Sequence, residues 1–235
     1  MTGSIRLFVP DALHAAAEVA PSPAQAHYLG AVMRRAPGDT LRLFNGRDGE
    51  WAARIAHLKR DRAMLAVVSL LRPQAAGADI WLAFAPLKRD TTDLLVQKAT
   101  ELGAAALLPV FTERTNAARV NTERLLAIAT EAAEQCERLT VPAIAEPVRL
   151  PALLAGWPAG RTLYAAIERA DAPAIRPTHG PCALLVGPGG GFAGGELELM
   201  RRNPFLQPVN LGPLILRAET AAIVGLALLQ ATVGG

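Results

Sequence analysis

The chain has 235 residues and a formal net charge of +3, with 51% hydrophobic and 19% charged residues. That balance is too apolar and too mixed in sign for a disordered chain, and the length allows one large domain or two modest ones. The longest apolar run, residues 221–233 with Gln230 inside, is shorter than the roughly 18 residues a bilayer span needs, and Cys136 and Cys182 are too few for a disulfide scaffold or a four-ligand zinc site.

In chain order, residues 1–6 lack the apolar region of a secretory signal, so a cytoplasmic protein is expected. Residues 5–9, 41–44 and 51–56 alternate as half-buried strands, and residues 64–68 form a more continuous apolar run. Asn45-Gly46-Arg47-Asp48-Gly49 reads as a hairpin turn with two glycines available for positive φ. One helix is expected over residues 23–34. Short strands, tight turns and one helix describe a small β-barrel over residues 1–72. This stretch holds ten Lys and Arg against six Asp and Glu, whereas the remainder is nearly balanced. Arginine makes up almost all of the excess and presents a planar fork to phosphate, so the front end reads either as a polyanion-binding surface or as an ordinary solvated one.

Residues 73–79, rich in small side chains and without periodicity, read as a linker, and residues 80–235 as a second domain. Residues 80–84 form a buried strand. Asp90 is placed to N-cap a helix whose Leu94, Leu95, Ala99 and Leu102 recur at helical spacing, with Gly103 closing it. A strand over 105–110, a helix over 122–138, and strands over 163–167, 183–186 and 208–211 follow, with a last helix over 218–232. Alternation of helices with continuous apolar strands implies an α/β domain with a parallel sheet covered on both faces. Such sheets bind ligands in loops at the carboxyl ends of their strands.

One of these loops is unusual. Residues 187–195 hold six glycines between a strand and a helix starting near Glu196. Glycine this dense forfeits side-chain packing and is useful where main chain approaches a ligand closely. No Lys-Ser or Lys-Thr follows, so it is not a Walker phosphate loop. Gly189, Gly191 and Gly194 fit the dinucleotide fingerprint by letter, but no acidic residue follows at the end of the next strand, as that fingerprint requires. After the strand ending at Leu211, Gly212-Pro213 is followed by Leu214-Ile215-Leu216 and then by Arg217, Glu219 and Thr220 at a helix start. A helix start signal explains the polar residues. The loop aliphatics suit an apolar wall with free backbone groups, as for an adenine ring.

Gly187-Pro188-x-Gly190-Gly191, followed by Leu211-Gly212-x-x-Ile215-Leu216-Arg217-x-Glu219-Thr220-Ala221, resembles the RsmE family of 16S ribosomal RNA uracil-N3 methyltransferases, in the SPOUT superfamily. The likeness extends to residues 97–103, to Glu113-Arg114, to residues 131–138 with Val141-Pro142, and to residues 27–39 of the basic front third. It departs at Gly189, where the family usually carries Glu. The resemblance implies a PUA-like β-barrel followed by a SPOUT-type parallel sheet whose C-terminal segment forms a trefoil knot, one of the exceptions to unknotted threading. It also implies S-adenosylmethionine as cofactor, 16S rRNA or the small ribosomal subunit as partner, and a homodimer with the active site at its interface.

On this reading the methyl donor takes main-chain contacts around Leu185, Gly187, Gly190, Gly191, Leu211, Gly212, Leu214 and Leu216, with Ile167 as a candidate for the opposite wall. Arg217, Glu219 and Arg114 are the catalytic candidates: an arginine stabilises a developing uracil anion, and a carboxylate orients or accepts the N3 proton. Arg6, Arg34, Arg35, Arg42, Arg47 and Arg54 are candidates for phosphate contacts. Glu131, Glu134, Gln135 and Arg138 share one helical face. By spacing alone this is a solvated stripe with a Glu134–Arg138 pair; the resemblance adds a substrate-side role for Glu134, Gln135 and Arg138. Tyr28 and Phe192 are single stacking candidates. No metal is expected, since His14, His27, His57 and His179 are scattered. A dinucleotide-dependent oxidoreductase and a non-catalytic RNA-binding module are the competing readings.

Overall fold

Alternation in the first third places one row of aliphatics, Leu7, Leu41, Leu43, Ile55 and Leu65, in a common core. The computed structural model describes residues 5–167, 172–175 and 180–231. His179 and the ends of the chain, including the expected helical residue Thr232, lie outside them. Two units emerge: the first comprises Met1–Ala76 and Ala133–Val141, the second Gly77–Ala132 and Pro142–Gly235.

In the first unit, β1 (Arg6–Phe8), β2 (Glu18–Val19), β3 (Thr40–Phe44), β4 (Glu50–Lys59) and β5 (Arg62–Arg72) form a sheet in the order β1-β3-β4-β5-β2. Only the β1–β3 pair is parallel. The helix expected over 23–34 is shorter: α1 covers Pro23–His27, and a π-helical turn continues over Tyr28–Val32. Ser22 opens α1 through a capping box with Gln25. In the turn before β4, Asn45 Oδ1 accepts from the Arg47 and Asp48 N–H groups at 3.0 and 2.9 Å. Gly49 there has φ of 84°, and a Cβ on it would meet the Arg72 carbonyl at 2.3 Å, so only glycine fits.

Residues 133–141 join this unit through buried and part-buried hydrogen bonds. The Arg6 guanidinium donates to the Ala133 and Arg138 carbonyls, both at 2.8 Å, pairs with Glu50, and lies 4.1 Å from the Phe44 ring centre. Glu50 is itself buried and also faces Arg42 and Arg72. Glu134 Oε1 accepts from the Phe8 N–H at 2.9 Å.

The second unit carries β6 (Ile80–Phe84), α2 (Arg89–Glu101), β7 (Ala106–Phe111), most of α3 (Thr122–Gln135), β8 (Ala143–Ile144), β9 (Val148–Arg149) and α4 (Leu150–Ala155). It continues with β10 (Thr162–Ala166), β11 (Cys182–Val186), α5 (Gly194–Arg201), β12 (Leu206–Val209) and α6 (Ala218–Gln230). The strand order is β12-β10-β11-β6-β7-β8, with β9 also on β7, and every pairing is parallel. β11 is buried along its whole length, as its unbroken apolar run requires. α6 lies on β6, β11 and α2, so close that a Cβ on Gly225 would stand 2.5 Å from a Leu184 methyl carbon.

Three local expectations are corrected. Asp90 does not cap α2: the N-cap position is Lys88, and the Thr92 hydroxyl accepts from the Leu87 N–H instead. α3 stops at Gln135 rather than Arg138, because Glu137 turns to φ of 60°. The last strand ends at Val209, so Leu211 belongs to the loop. At the amino-terminal end of the sheet, buried Arg161 donates to the Asp79 and Cys182 carbonyls at 3.0 Å and stacks 3.6 Å from the Trp81 ring centre.

Candidate active site

At the carboxyl ends of the parallel strands the chain leaves β10, β11 and β12 in succession, and the three exits enclose a cavity of about 420 Å³. Its first wall is Ala166 and Ile167 after β10. The second is the glycine loop, residues 187–192, and the third is the loop 209–216. The glycine loop folds on itself through a Gly191 N–H to Pro188 carbonyl bond of 2.8 Å, with Gly191 at φ of 68°. Asn210 Oδ1 accepts from the Gly212 N–H at 2.7 Å, a local turn that sets Gly212 at φ of 128°. Leu214 and Ile215 are 77% and 59% exposed, high values for large aliphatics at the mouth of a cavity. Phe192 is only 8% exposed, lines the cavity and packs under Gly187, so it supports the loop.

Ile167, Gly187, Gly190, Gly191, Leu211, Gly212, Leu214 and Leu216 all line this cavity. Leu185 does not. Its side chain is fully buried in the sheet core, and its register pairs it with Ala165 on one side and Ala83 on the other. Arg114 lines the cavity and donates from Nη1 to the Gly190 carbonyl at 2.7 Å.

Arg217 and Glu219 face a second, wider space of about 1270 Å³. The two cavities share Pro188, Gly189, Ile215, Leu216 and Ala218 as a common ridge. Lys88, Arg89, Arg119, Arg124 and Arg217 line the wider one against only Asp93 and Glu219, so it is strongly positive. Arg124 pairs with Asp93, and burial pushes the Asp93 carboxyl above its usual range while Arg89 pulls it back. Sequence reasoning missed the cationic residues of this groove other than Arg217. They are single basic residues at the starts of α2 and α3 and in the connection from β7 to α3, with no motif to mark them.

The front-end candidates divide by exposure. Arg34, Arg47 and Arg54 are exposed and Arg35 is half-buried. Arg6 is 6% exposed with its guanidinium occupied as described, which removes it from the phosphate contacts. Glu134 and Arg138, both half-buried, belong to the same internal network, Arg138 donating to the Thr140 hydroxyl at 3.0 Å. Gln135 remains exposed. His14, His27 and His57 are exposed and separate, and the described residues contain no cluster suited to a metal ion. Nor is any helix among them long and apolar enough to cross a membrane.

The cavity suits a small organic ligand. Its volume lies in the small-molecule range, main chain rather than side chains forms one wall, and aliphatics form the other. A dinucleotide fits poorly. β12, the strand after the glycine loop and α5, ends at Val209 and is followed by Asn210, with no carboxylate for a ribose.

Comparison with known proteins agrees with this geometry. Residues 74–230 match the model of an RNA methyltransferase domain, and residues 22–67 that of an RNA methyltransferase PUA domain. The ribosomal RNA small subunit methyltransferase E of Rickettsia conorii is 34% identical over 206 residues, covering 86% of this chain and 84% of that protein. Its counterpart from Synechocystis is 33% identical over 224 residues, 92% and 73% of the two chains. The crystal structure of the Neisseria gonorrhoeae counterpart, bound to S-adenosyl methionine, superposes with a TM-score of 0.86 at 28% identity, covering 97% of this chain and 98% of that one.

Proposed function

Because the chain belongs to the ribosomal RNA small subunit methyltransferase E family, we propose that it is an S-adenosylmethionine-dependent enzyme methylating N3 of one uridine in 16S rRNA. The observation that carries this reading is the pair of abutting cavities, one apolar with a main-chain wall and one cationic, divided by Pro188-Gly189 and Ile215-Leu216.

When bound, S-adenosylmethionine supplies an electrophilic methyl on sulfur. The chain's own work is mainly positioning. Backbone groups of residues 187–191 and 211–216 would hold the adenosyl portion, with Leu211, Leu214 and Leu216 as its apolar wall. The cationic groove receives the RNA, and Arg217 stabilises negative charge on the uracil as N3 loses its proton. Glu219 orients or accepts that proton. Arg114 acts from the donor side, where its bond to Gly190 shapes the loop. A uridine splayed out of its stack fits the groove better than one in a helix.

The chain acts in the cytoplasm on 16S rRNA or the assembled small subunit, as a homodimer with the site completed at the interface. Exposed Leu94 on α2, Leu228 on α6, and Leu214 and Ile215 beside the site support the dimer. The parallel order of β12, β10, β11 and β6, with α6 returning over β6 and β11, agrees with the knotted threading of a SPOUT domain. Transfer of labelled methyl from S-adenosylmethionine to small-subunit RNA, followed by nucleoside analysis, tests the reading. It requires 3-methyluridine. Tight donor binding with no transfer to free RNA or to subunits would instead favour the non-catalytic module.

A further inference from the structure

Behind the donor cavity lies a buried carboxylate that the proposed chemistry does not use. Glu196, in the first turn of α5, is 5% exposed. Its Oε2 accepts from the Ala193 N–H and its Oε1 from the Glu113 N–H, both at 2.9 Å. Ala193 directly follows the glycine loop, and Glu113 precedes Arg114, whose guanidinium donates to the Gly190 carbonyl at 2.7 Å. The same two segments are therefore tied twice, once by a side chain from each. Half of the Glu196 arrangement is a helix-start contact to Ala193, which has no side-chain acceptor to complete a capping box. The bond to Glu113, 83 residues away in sequence, is not needed to begin α5.

The residue type matters. Burying a carboxylate is costly unless its oxygens are satisfied, and here each oxygen meets a backbone donor. Glutamine in the same place would turn an NH₂ group toward one of those donors and leave it unpaired. Only the carboxylate closes both bonds at this length.

We propose that Glu196 is a positioning residue of the donor site: with Arg114 it sets the spacing between the glycine loop and the segment after β7, so the two tie-points govern donor affinity as one unit. This rests on the reading of the smaller cavity as the donor site. Support from a group outside the cavity is the usual means of holding a binding wall in place.

The test is titration of S-adenosylhomocysteine into the full-length protein, its E196Q and R114A variants and the double variant, each with a thermal melt. E196Q is expected to weaken binding on the order of tenfold, the usual effect of one unpaired buried donor. R114A is expected to weaken it severalfold, and the double variant less than the product of the two. At saturating donor, E196Q keeps turnover within about threefold of wild type while KM for the donor rises. Should E196Q fold poorly, exposed Arg114 reads the same coupling from its own bond. A lowered melt with unchanged affinity in E196Q, unchanged affinity in R114A, or strictly multiplicative effects would overturn the proposal. Wild-type protein that bound no S-adenosylhomocysteine would overturn the donor-site reading itself.

Discussion

Gly187 stands so close to Phe192 that a Cβ built on it would lie 2.9 Å from two carbons of the ring. The glycine loop therefore owes its path to a buried aromatic beneath it, and a side chain at Gly187 must push either the ring or the loop aside. Gly187→Val is expected to cost about 1–3 kcal/mol of stability, as overpacking does, and to weaken S-adenosylhomocysteine at least tenfold. A melt and a titration check both. Native affinity in the folded variant would mean that the loop's backbone path does not matter to the ligand.

Two positions away the constraint vanishes. A Cβ on Gly189 would meet nothing within 4 Å. Gly189→Glu, which installs the residue the family usually carries, is expected to change stability by no more than about 0.5 kcal/mol. If the donor is held by main chain, its affinity should also stay within about twofold. A large gain in turnover would show that this chain's loop is missing a working carboxylate.

Arg217 and Glu219 face the cationic groove and not the donor cavity. Arg217→Ala and Glu219→Gln should therefore leave S-adenosylhomocysteine affinity near wild type while lowering methyl transfer on the order of a hundredfold each. Rates of transfer to small-subunit RNA beside titrations of the same samples separate the two effects. Near-native rates in both variants would remove them from the chemistry.

Arg6 and Arg54 make opposite predictions although both are arginines of the basic front end. Arg6→Ala breaks a buried pair with Glu50 and strands two carbonyls, so a loss of about 3–5 kcal/mol is expected in denaturant unfolding. Arg54 is exposed. Its replacement by Ala should leave stability unchanged and lower the slope of log affinity for RNA against log salt by about one.

The Asp48 carboxylate accepts from the Leu13 N–H and the Asn45 amide, which hold it below its usual range. A depressed carboxylate pKa adds stability above the ordinary value, and that contribution is lost as pH falls through the folded value. The first unit should lose stability on acidification below about pH 4. Asp48→Asn should flatten that part of the profile and lower stability at neutral pH. A profile in the variant that parallels wild type would show that Asp48 is not its source.

The residues explain which parts of this molecule the sequence displays. Ile80–Phe84 and Cys182–Val186 are legible because a strand buried on both faces must be apolar throughout. The cavity loops are legible because six glycines, and three aliphatics after Gly-Pro, are hard to explain by turning alone. Ala143–Ile144, Val148–Arg149 and Leu150–Ala155 are too short to show a period. The fate of Arg6 depends on Glu50 and on carbonyls more than 120 residues away, and nothing local separates it from exposed Arg54. In sequence Glu196 reads only as a helix start, because its second partner, Glu113, lies on another loop.

The most direct measurement is mass spectrometry of small-subunit rRNA from cells lacking this gene and from the same cells carrying it again. One 3-methyluridine is expected to disappear with the gene and to return with the wild-type chain, but not with Arg217→Ala. An unchanged 3-methyluridine content in the cells lacking the gene would contradict that expectation.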